Sequence, residues 1–86
     1  MNVIKVSARS RTAAVAGAIA GVIREVNRAE VQAIGAGAVN QALKAIVIAK
    51  GYLQEEGVEV VCDPEFVDVA IDGQERTAIR LVVSPR

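Results

Sequence analysis

The chain has 86 residues, of which 52% are hydrophobic and 2% aromatic, and its formal net charge is zero. This length predicts one domain over residues 1–86, with a modest aliphatic core because Tyr52 and Phe66 are the only aromatic rings. No apolar run reaches the roughly 20 residues of a membrane helix, and the first residues do not follow a signal-peptide pattern, so we expect no membrane association. The single cysteine, Cys62, excludes an internal disulfide framework and favours the cytoplasm.

The neutral net charge conceals an asymmetry between the two halves of the chain. Residues 1–50 carry seven basic and two acidic side chains, whereas residues 51–86 carry three basic and eight acidic ones. A folded protein with this distribution has a basic end and an acidic end. Such polarity favours either anion binding on one side or head-to-tail attraction between subunits.

The first half reads as strand, helix and strand. Residues 2–8 alternate like a short strand, and residues 12–27 follow helical spacing, with Ser10 or Thr12 as the expected N-cap. The helix is expected to bury the apolar stripe Val15, Ile19, Val22, Ile23 and Val26. Its other side carries Gly17 and Gly21, which indicates close approach of either a neighbouring helix or a phosphate backbone. Residues 30–34 form the second strand, parallel to the first because a helix connects them.

The second strand runs into a glycine-rich turn and the longest helical pattern in the chain. Gly35 and Gly37 permit positive φ and close backbone approach where the strand becomes a helix. The helix, through residue 53, is expected to bury one stripe, formed by Val39, Ala42, Leu43, Ile46, Ala49 and Leu53. Its other side holds Ala45, Ile48 and Tyr52, an apolar group that predicts a covering partner and hence a homodimer or dimer of dimers.

The second half predicts a β-hairpin. Residues 58–63 and 66–71 are extended, and Pro64 between them marks a bulge, a bend or a sheet edge. Asp72 and Gly73 favour the positive φ of a tight turn, after which residues 76–84 return as the last strand. On the Val58 and Val60 side, Cys62 is expected to be a small buried hydrophobe. The order βαβαββ predicts an α+β fold, a two-layer sandwich of one sheet and two helices.

Catalysis is not indicated by these residues. The chain has no histidine, so it lacks an imidazole base and any histidine metal ligand. The candidate nucleophiles Ser7, Ser10, Thr12 and Cys62 have no activating base in a recognisable pattern. We therefore expect no enzyme activity, no catalytic residue, no metal and no cofactor.

Phosphate binding is the chemistry that the glycine-rich turn suggests, although a simple close strand-to-helix turn explains it equally well. The turn lacks both the full dinucleotide fingerprint and the Lys-Ser/Thr pair of a P-loop. However, the connection after the first strand, with Arg9 and Arg11, should emerge at the same sheet edge as Gly35 and Gly37. Guanidinium groups beside helix N–H groups suit a phosphate.

Several segments carry a family resemblance. KVSARS, VAGAIAGVIRE, AIGAGAVNQALKAIVIA and GQERTAI are similar to the stage V sporulation protein S family of small bacterial proteins, over essentially the whole chain. More distantly, βαβαββ with a glycine-rich turn before the second helix resembles Alba, the archaeal chromatin protein. The resemblance implies an Alba-like mixed sheet of order 1-2-4-3 with both helices on one face, a dimer, nucleic-acid binding, and a role around sporulation and cell division.

The site residues carried over from this resemblance are basic and polar. Arg9, with Arg11 nearby, matches the basic connection of Alba-like proteins, Gln41 stands where they have a lysine early in the second helix, and the hairpin is acidic here. The nucleic-acid interface is therefore predicted to comprise Arg9, Arg11, Gly35, Gly37, Asn40 and Lys44, with weak binding mainly to the phosphate backbone of DNA or RNA. The alternative is a protein-interaction module of the sporulation or septation machinery that binds no nucleic acid.

Overall fold

The computed structural model describes residues 3–86. Its elements, in chain order, are β1 (Val3–Val6), α1 (Thr12–Val26), β2 (Ala29–Ala33), α2 (Ala36–Glu55), β3 (Val60–Ile71) and β4 (Gln74–Pro85). The predicted α+β class and βαβαββ order are confirmed. The predicted start of the first strand at residue 2 lies outside the described residues.

The four strands form one mixed sheet in the order β1-β2-β4-β3. β1 and β2 are parallel, and β4 lies antiparallel between β2 and β3. Alternate residues of β2 and β4, including Val31, Leu81 and Val83, are buried with the apolar residues of both helices. The helices therefore cover one face of the sheet, and the other face, which we call the open face, lacks them.

The β3–β4 hairpin is longer than the rest of the sheet. β2 ends at Ala33, opposite Ile79, whereas the hairpin continues to a turn in which Asp72 and Gly73 have φ values of 50° and 77°. Because β4 is antiparallel to β2, this extension projects from the edge where β1 and β2 end. Pro64 lies opposite Leu81 in an unbroken register, so β3 has no bulge there. A proline is tolerated at this position because β3 is an edge strand of the sheet.

The buried arc of α2 differs from the predicted stripe. Ala45, predicted to be exposed for a partner, has no accessible surface and belongs to the core, whereas Leu43, predicted to be buried, is 45% exposed. Ile48 packs against the core, and Tyr52 is 42% exposed. The arc is shifted toward α1 because α2 packs on that helix as well as on the sheet.

Three further predictions were wrong. Val26, at the end of α1, is 63% exposed, because the helix ends there and the chain turns into β2. The N-cap of α1 is Arg11, without a side-chain cap, because the Ser10 hydroxyl turns back to the Ser7 N–H. Cys62 is exposed, because an open groove separates this part of β3 from α2.

No atom of residues 3–86 lies close to the positions that side chains on the two interior glycines of α1 would occupy. A Cβ on Gly17 or Gly21 would meet no atom within 4 Å. Close packing of α2 on this side is thus excluded within one chain.

None of the helices in residues 3–86 is long and apolar enough to cross a membrane.

Candidate functional site

The connection between β1 and α1 is a tight turn stabilised by two serines. The Ser10 N–H donates to the Ser7 carbonyl at 3.1 Å, and the Ser7 N–H donates back to the Ser10 hydroxyl oxygen at 2.9 Å. The Arg9 N–H also donates to the Ser7 hydroxyl oxygen, at 3.2 Å. These local bonds are typical of serine turns. They hold the backbone of Arg9 while its side chain stays in solvent.

This turn packs directly on the first turns of α2. A Cβ placed on Gly37 would lie 3.0 Å from the Cβ of Ala8, closer than side chains normally approach. One turn later, the Gln41 side-chain amide donates to the Ser10 carbonyl at 2.8 Å. The absence of a side chain at Gly37 therefore lets the loop with Arg9 and Arg11 pack against α2, and the hydrogen bond from Gln41 holds the loop in this position.

The same side of α2 carries the other polar residues predicted for the site. Gly37, Asn40, Gln41 and Lys44 are separated by three or four residues, so they lie on one side of the helix. Because Gly37 and Gln41 contact the loop, that side faces it, and Asn40 and Lys44 are exposed there. We call this assembly the basic edge: the loop of residues 7–11, the turn of residues 35–38, Asn40 and Lys44.

Two helix N-termini open at the basic edge. Neither α1 nor α2 has a side-chain cap or an acidic residue in its first turn, and the N-cap of α2 is Gly35 with a φ of 89°. The first N–H groups of a helix have no partner within the helix, and they form its positive dipole end. Both helices follow parallel neighbouring strands, so both positive ends lie at the same edge of the sheet.

The cations separate into paired and unpaired groups. Four arginines form ion pairs: Arg24 with Glu56, Arg28 with Glu30, Arg80 with both Glu30 and Glu65, and Arg86 with Glu59. Three of these four arginines lie toward the opposite edge, where α1 ends, β2 begins and β4 ends. In residues 3–86, no ion pair involves Lys5, Arg9, Arg11, Lys44, Lys50 or Arg76. Positive charge without a carboxylate partner is thus concentrated at and beside the basic edge.

The structure brings Arg9, Arg11, Gly35 and Gly37 to one edge, with Asn40 and Lys44 on the adjoining face of α2. The residues that sequence reasoning missed are the ones that hold the site together: Ser7, Ser10 and Gln41. The Ser-x-x-Ser spacing was the available signal, since serine side chains at this separation bond to the intervening backbone. Gln41 carried no comparable signal, because its partner is a carbonyl 31 residues away.

An exposed apolar surface adjoins the basic edge along α2, since Leu43 and Val47 follow Asn40 and Lys44 by three residues each. Leu43 and Val47, 45% and 69% exposed, border a groove of about 410 Å³ against β3, which we call the α2–β3 groove. Cys62 lines its β3 side, and Phe66, 79% exposed, follows on the same face of that strand. Of the residues predicted for an oligomer interface, Ala45 is excluded by burial and only Tyr52 is well exposed.

Metal and thiol chemistry receive no support from the described residues. Residues 3–86 contain no group of three or more carboxylate, cysteine or histidine side chains that is able to hold a metal ion. Partial burial, with a smaller contribution from the charge of Asp63, raises the pKa of the Cys62 thiol. The thiol is thus less ionised at neutral pH than that of a free cysteine, and the thiolate is the reactive form.

Comparisons with known proteins agree with this architecture. The family model of stage V sporulation protein S matches residues 2–86. Among solved structures, the chain is similar to Alba from Thermoplasma volcanium, with a TM-score of 0.65 and 13% sequence identity over 96% of this chain and 99% of that one. At this identity the likeness shows the fold alone, and that fold is Alba-like. The match over nearly the whole sequence shows that the chain belongs to the stage V sporulation protein S family.

Proposed function

We propose that this protein is a nucleic-acid-binding regulator of sporulation and cell division that contacts the phosphate backbone through the basic edge. The observation that carries the proposal is the separation of charges: the arginines toward the opposite edge are neutralised by carboxylates, whereas Arg9, Arg11 and Lys44 are not. A surface that keeps its cations unpaired attracts polyanions.

The chemistry of the basic edge suits a phosphate oxygen. Arg9 and Arg11 offer planar guanidinium groups, which form two parallel hydrogen bonds with a phosphate. The N–H groups at the start of α1 and α2 add donors in fixed positions, together with two positive dipole ends. None of these groups reads a base, so we expect binding with little sequence preference.

We further propose that two copies, or a dimer of dimers, present these edges together. The α2–β3 groove is an uncovered apolar surface of the single chain, and Leu43, Val47 and Phe66 would be buried by a second copy. A two-fold axis there would place one basic edge on each protomer along a nucleic-acid backbone. Roughly two to four phosphate contacts per dimer would give weak, salt-sensitive binding.

The proposal is tested by removing the two arginines of the loop. We expect Arg9→Ala with Arg11→Ala to weaken binding to both DNA and RNA oligonucleotides. Each lost phosphate contact should also reduce the slope of log affinity against log salt by about 0.9 on duplex DNA. Fluorescence anisotropy at several salt concentrations measures both quantities.

The control removes the same charge from the opposite edge. Arg24→Ala with Arg86→Ala deletes two exposed arginines that are paired with Glu56 and Glu59. This variant should keep the wild-type slope. Equal losses in the two double variants would show that only net charge matters and would contradict a site at the basic edge.

A protein-interaction function is the second candidate, and the exposed Leu43, Val47 and Phe66 favour it. These side chains offer an apolar anchor, and the hairpin beside them carries Asp68, Asp72 and Glu75. If the wild-type protein binds neither DNA nor RNA at low salt, this candidate replaces the first.

A further inference from the structure

A cleft lies on the open face of the sheet, next to the basic edge. It has a volume of about 380 Å³, and the side chains of the open face that line it are Lys5, Ser7, Gln32, Ile34, Val69 and Ile71. The cleft therefore spans from β1 and β2 to the far strand β3. The hairpin extends past the end of β2 there, and the strands of a sheet twist relative to one another, so that a far strand is able to approach β1. Ala78, only 1% exposed, supplies a small side chain on the same face of the intervening strand β4.

Strand alternation separates the charges of the hairpin between its two faces. Val69 and Arg76 face each other in the register, and both belong to the open face. Asp68 and Glu75 belong to the opposite face, where Asp68 accepts a hydrogen bond from Thr77. On the part of the open face that lies beyond β2, Arg76 is the charged side chain of the two hairpin strands, whereas Glu65 and Asp63 lie on that face farther from the turn, with Glu65 paired to Arg80. Lys5 adds a second cation, and neither Lys5 nor Arg76 forms an ion pair within residues 3–86.

Ala8 connects the cleft to the basic edge. It lines the cleft, and it is also the residue that Gly37 accommodates at the start of α2. A ligand in the cleft is therefore separated by a single residue from the N–H groups of that turn and from Arg9. An apolar cavity beside a phosphate site has the layout that a nucleotide needs, with the base on one side and the phosphate on the other.

We propose that the cleft receives an unpaired base of single-stranded nucleic acid whose phosphate lies on the basic edge. This inference rests on the proposed function and deepens it by naming the form of nucleic acid that binds. Duplex ends and interiors keep their bases stacked and paired, so a base enters such a cleft only from a single strand or after extrusion.

The lining fits a base in two respects. Ile34, Val69 and Ile71 provide aliphatic surface for the faces of the ring, and apolar side chains serve in this way around extruded bases. Gln32 provides an amide with donors and an acceptor for the polar edge of the base. Because a glutamine amide both donates and accepts hydrogen bonds, it is able to bond to the polar edge of more than one base. We therefore expect a modest preference among bases, without strict sequence recognition.

The experiment compares three ligands of equal length: a single-stranded deoxyoligonucleotide, its abasic counterpart with the same phosphates, and the duplex. If bases enter the cleft, the intact single strand should bind about tenfold more tightly than the abasic backbone, since burying roughly 55 Å² of apolar surface against the aliphatic lining contributes on this scale. It should also bind more tightly than the duplex. A 2-aminopurine placed in the strand should change its fluorescence on binding.

Two variants assign the effect to the cleft. Ile71→Ala should reduce the difference between intact and abasic strands, because it removes an aliphatic contact from the rim. Gln32→Met keeps the length of the side chain and should alter the ranking among the four homopolymeric strands. Val26→Ala removes an exposed aliphatic side chain at the opposite edge and should change neither quantity. Circular dichroism checks that all three variants fold.

The outcomes separate this inference from the function on which it rests. If intact, abasic and duplex ligands bind equally and Arg9→Ala with Arg11→Ala still weakens them, the backbone site stands and the base-binding cleft is wrong. If Ile71→Ala and Val26→Ala behave alike, the preference for single strands does not come from the cleft, and the inference is also wrong. If no nucleic acid binds, both proposals fail.

Discussion

The loop of residues 7–11 packs on α2 because residue 37 is a glycine. Any side chain there would meet the Cβ of Ala8 at 3.0 Å, so the loop would have to move outward. Gly17, in the middle of α1, has open space where its side chain would be. Gly37 therefore allows another segment to pack on its helix, whereas no part of the described chain, residues 3–86, packs on Gly17.

Alanine substitution should therefore affect these two glycines differently. We expect Gly17→Ala to stabilise the protein by about 0.5–1 kcal/mol, the usual preference of a helix interior for alanine. Gly37→Ala should give less than this gain, because Ala8 must shift by a few tenths of an ångström. It should also weaken nucleic-acid binding by displacing Arg9. Thermal unfolding and anisotropy measure the two effects, and equal behaviour of the variants in both would refute the packing argument.

At the scale of elements, the ends of α1 and α2 are joined by one exposed ion pair. Arg24, in the last turn of α1, donates from Nη2 to an oxygen of Glu56 at 2.6 Å and from Nε to both oxygens at 3.0 and 3.1 Å. Glu56 is the C-cap of α2. The hydrogen bonds to Arg24, assisted by its charge, lower the pKa of Glu56 below its ordinary value of 4.5.

This lowered pKa predicts a pH dependence of stability. A carboxylate whose pKa is depressed in the folded state stabilises that state above its ordinary pKa, and the contribution disappears as the pH falls through the folded value. Wild type should thus be slightly more stable than Glu56→Gln at pH 7, and the gap should close below pH 4.5. Both side chains are exposed, so the effect is small and decreases with salt. A constant gap down to strongly acidic pH would contradict this assignment.

At the scale of the whole molecule, two adjoining faces of α2 have different roles. The face with Gly37 and Gln41 contacts the loop of residues 7–11, and the face with Leu43 and Val47 borders the α2–β3 groove. Ile48, predicted from the sequence to be covered by a partner, packs against the core, so a charge there would also disturb folding. Val47 is 69% exposed and offers a cleaner test.

We expect Val47→Asp to shift the protein from dimer toward monomer in sedimentation velocity without lowering its thermal stability as a monomer. The reason is that a charge in a surface buried by a second copy must be desolvated without a partner. Cys62 gives an independent readout, because assembly over the α2–β3 groove should slow its reaction with a thiol reagent, and Val47→Asp should restore that rate. Tyr52→Ala, on the other side of α2, is the matched control. A wild-type protein that is monomeric at high concentration would rule out assembly.

The sequence by itself determined the order of the elements, the hairpin turn and the edge of the sheet at which the residues of the candidate site lie. Helical and strand periods are local properties, and Asp72-Gly73 requires only its own backbone angles. The handedness of β-α-β connections is general, so the parallel arrangement of β1 and β2, and with it the proximity of Arg9 to Gly37, followed without tertiary detail. These are features that neighbouring residues or general chirality decide.

Only the tertiary structure decided which surfaces are covered and which charges are paired. Ala45 is buried and Leu43 exposed because α2 packs against both α1 and the sheet, and a helical period does not say where its second neighbour lies. The open-face cleft depends on the twist of a hairpin that extends beyond its neighbouring strand. The ion pairs of Arg24 and Arg86 join residues 32 and 27 positions apart. Such contacts depend on the packing of distant segments, and no local pattern encodes them.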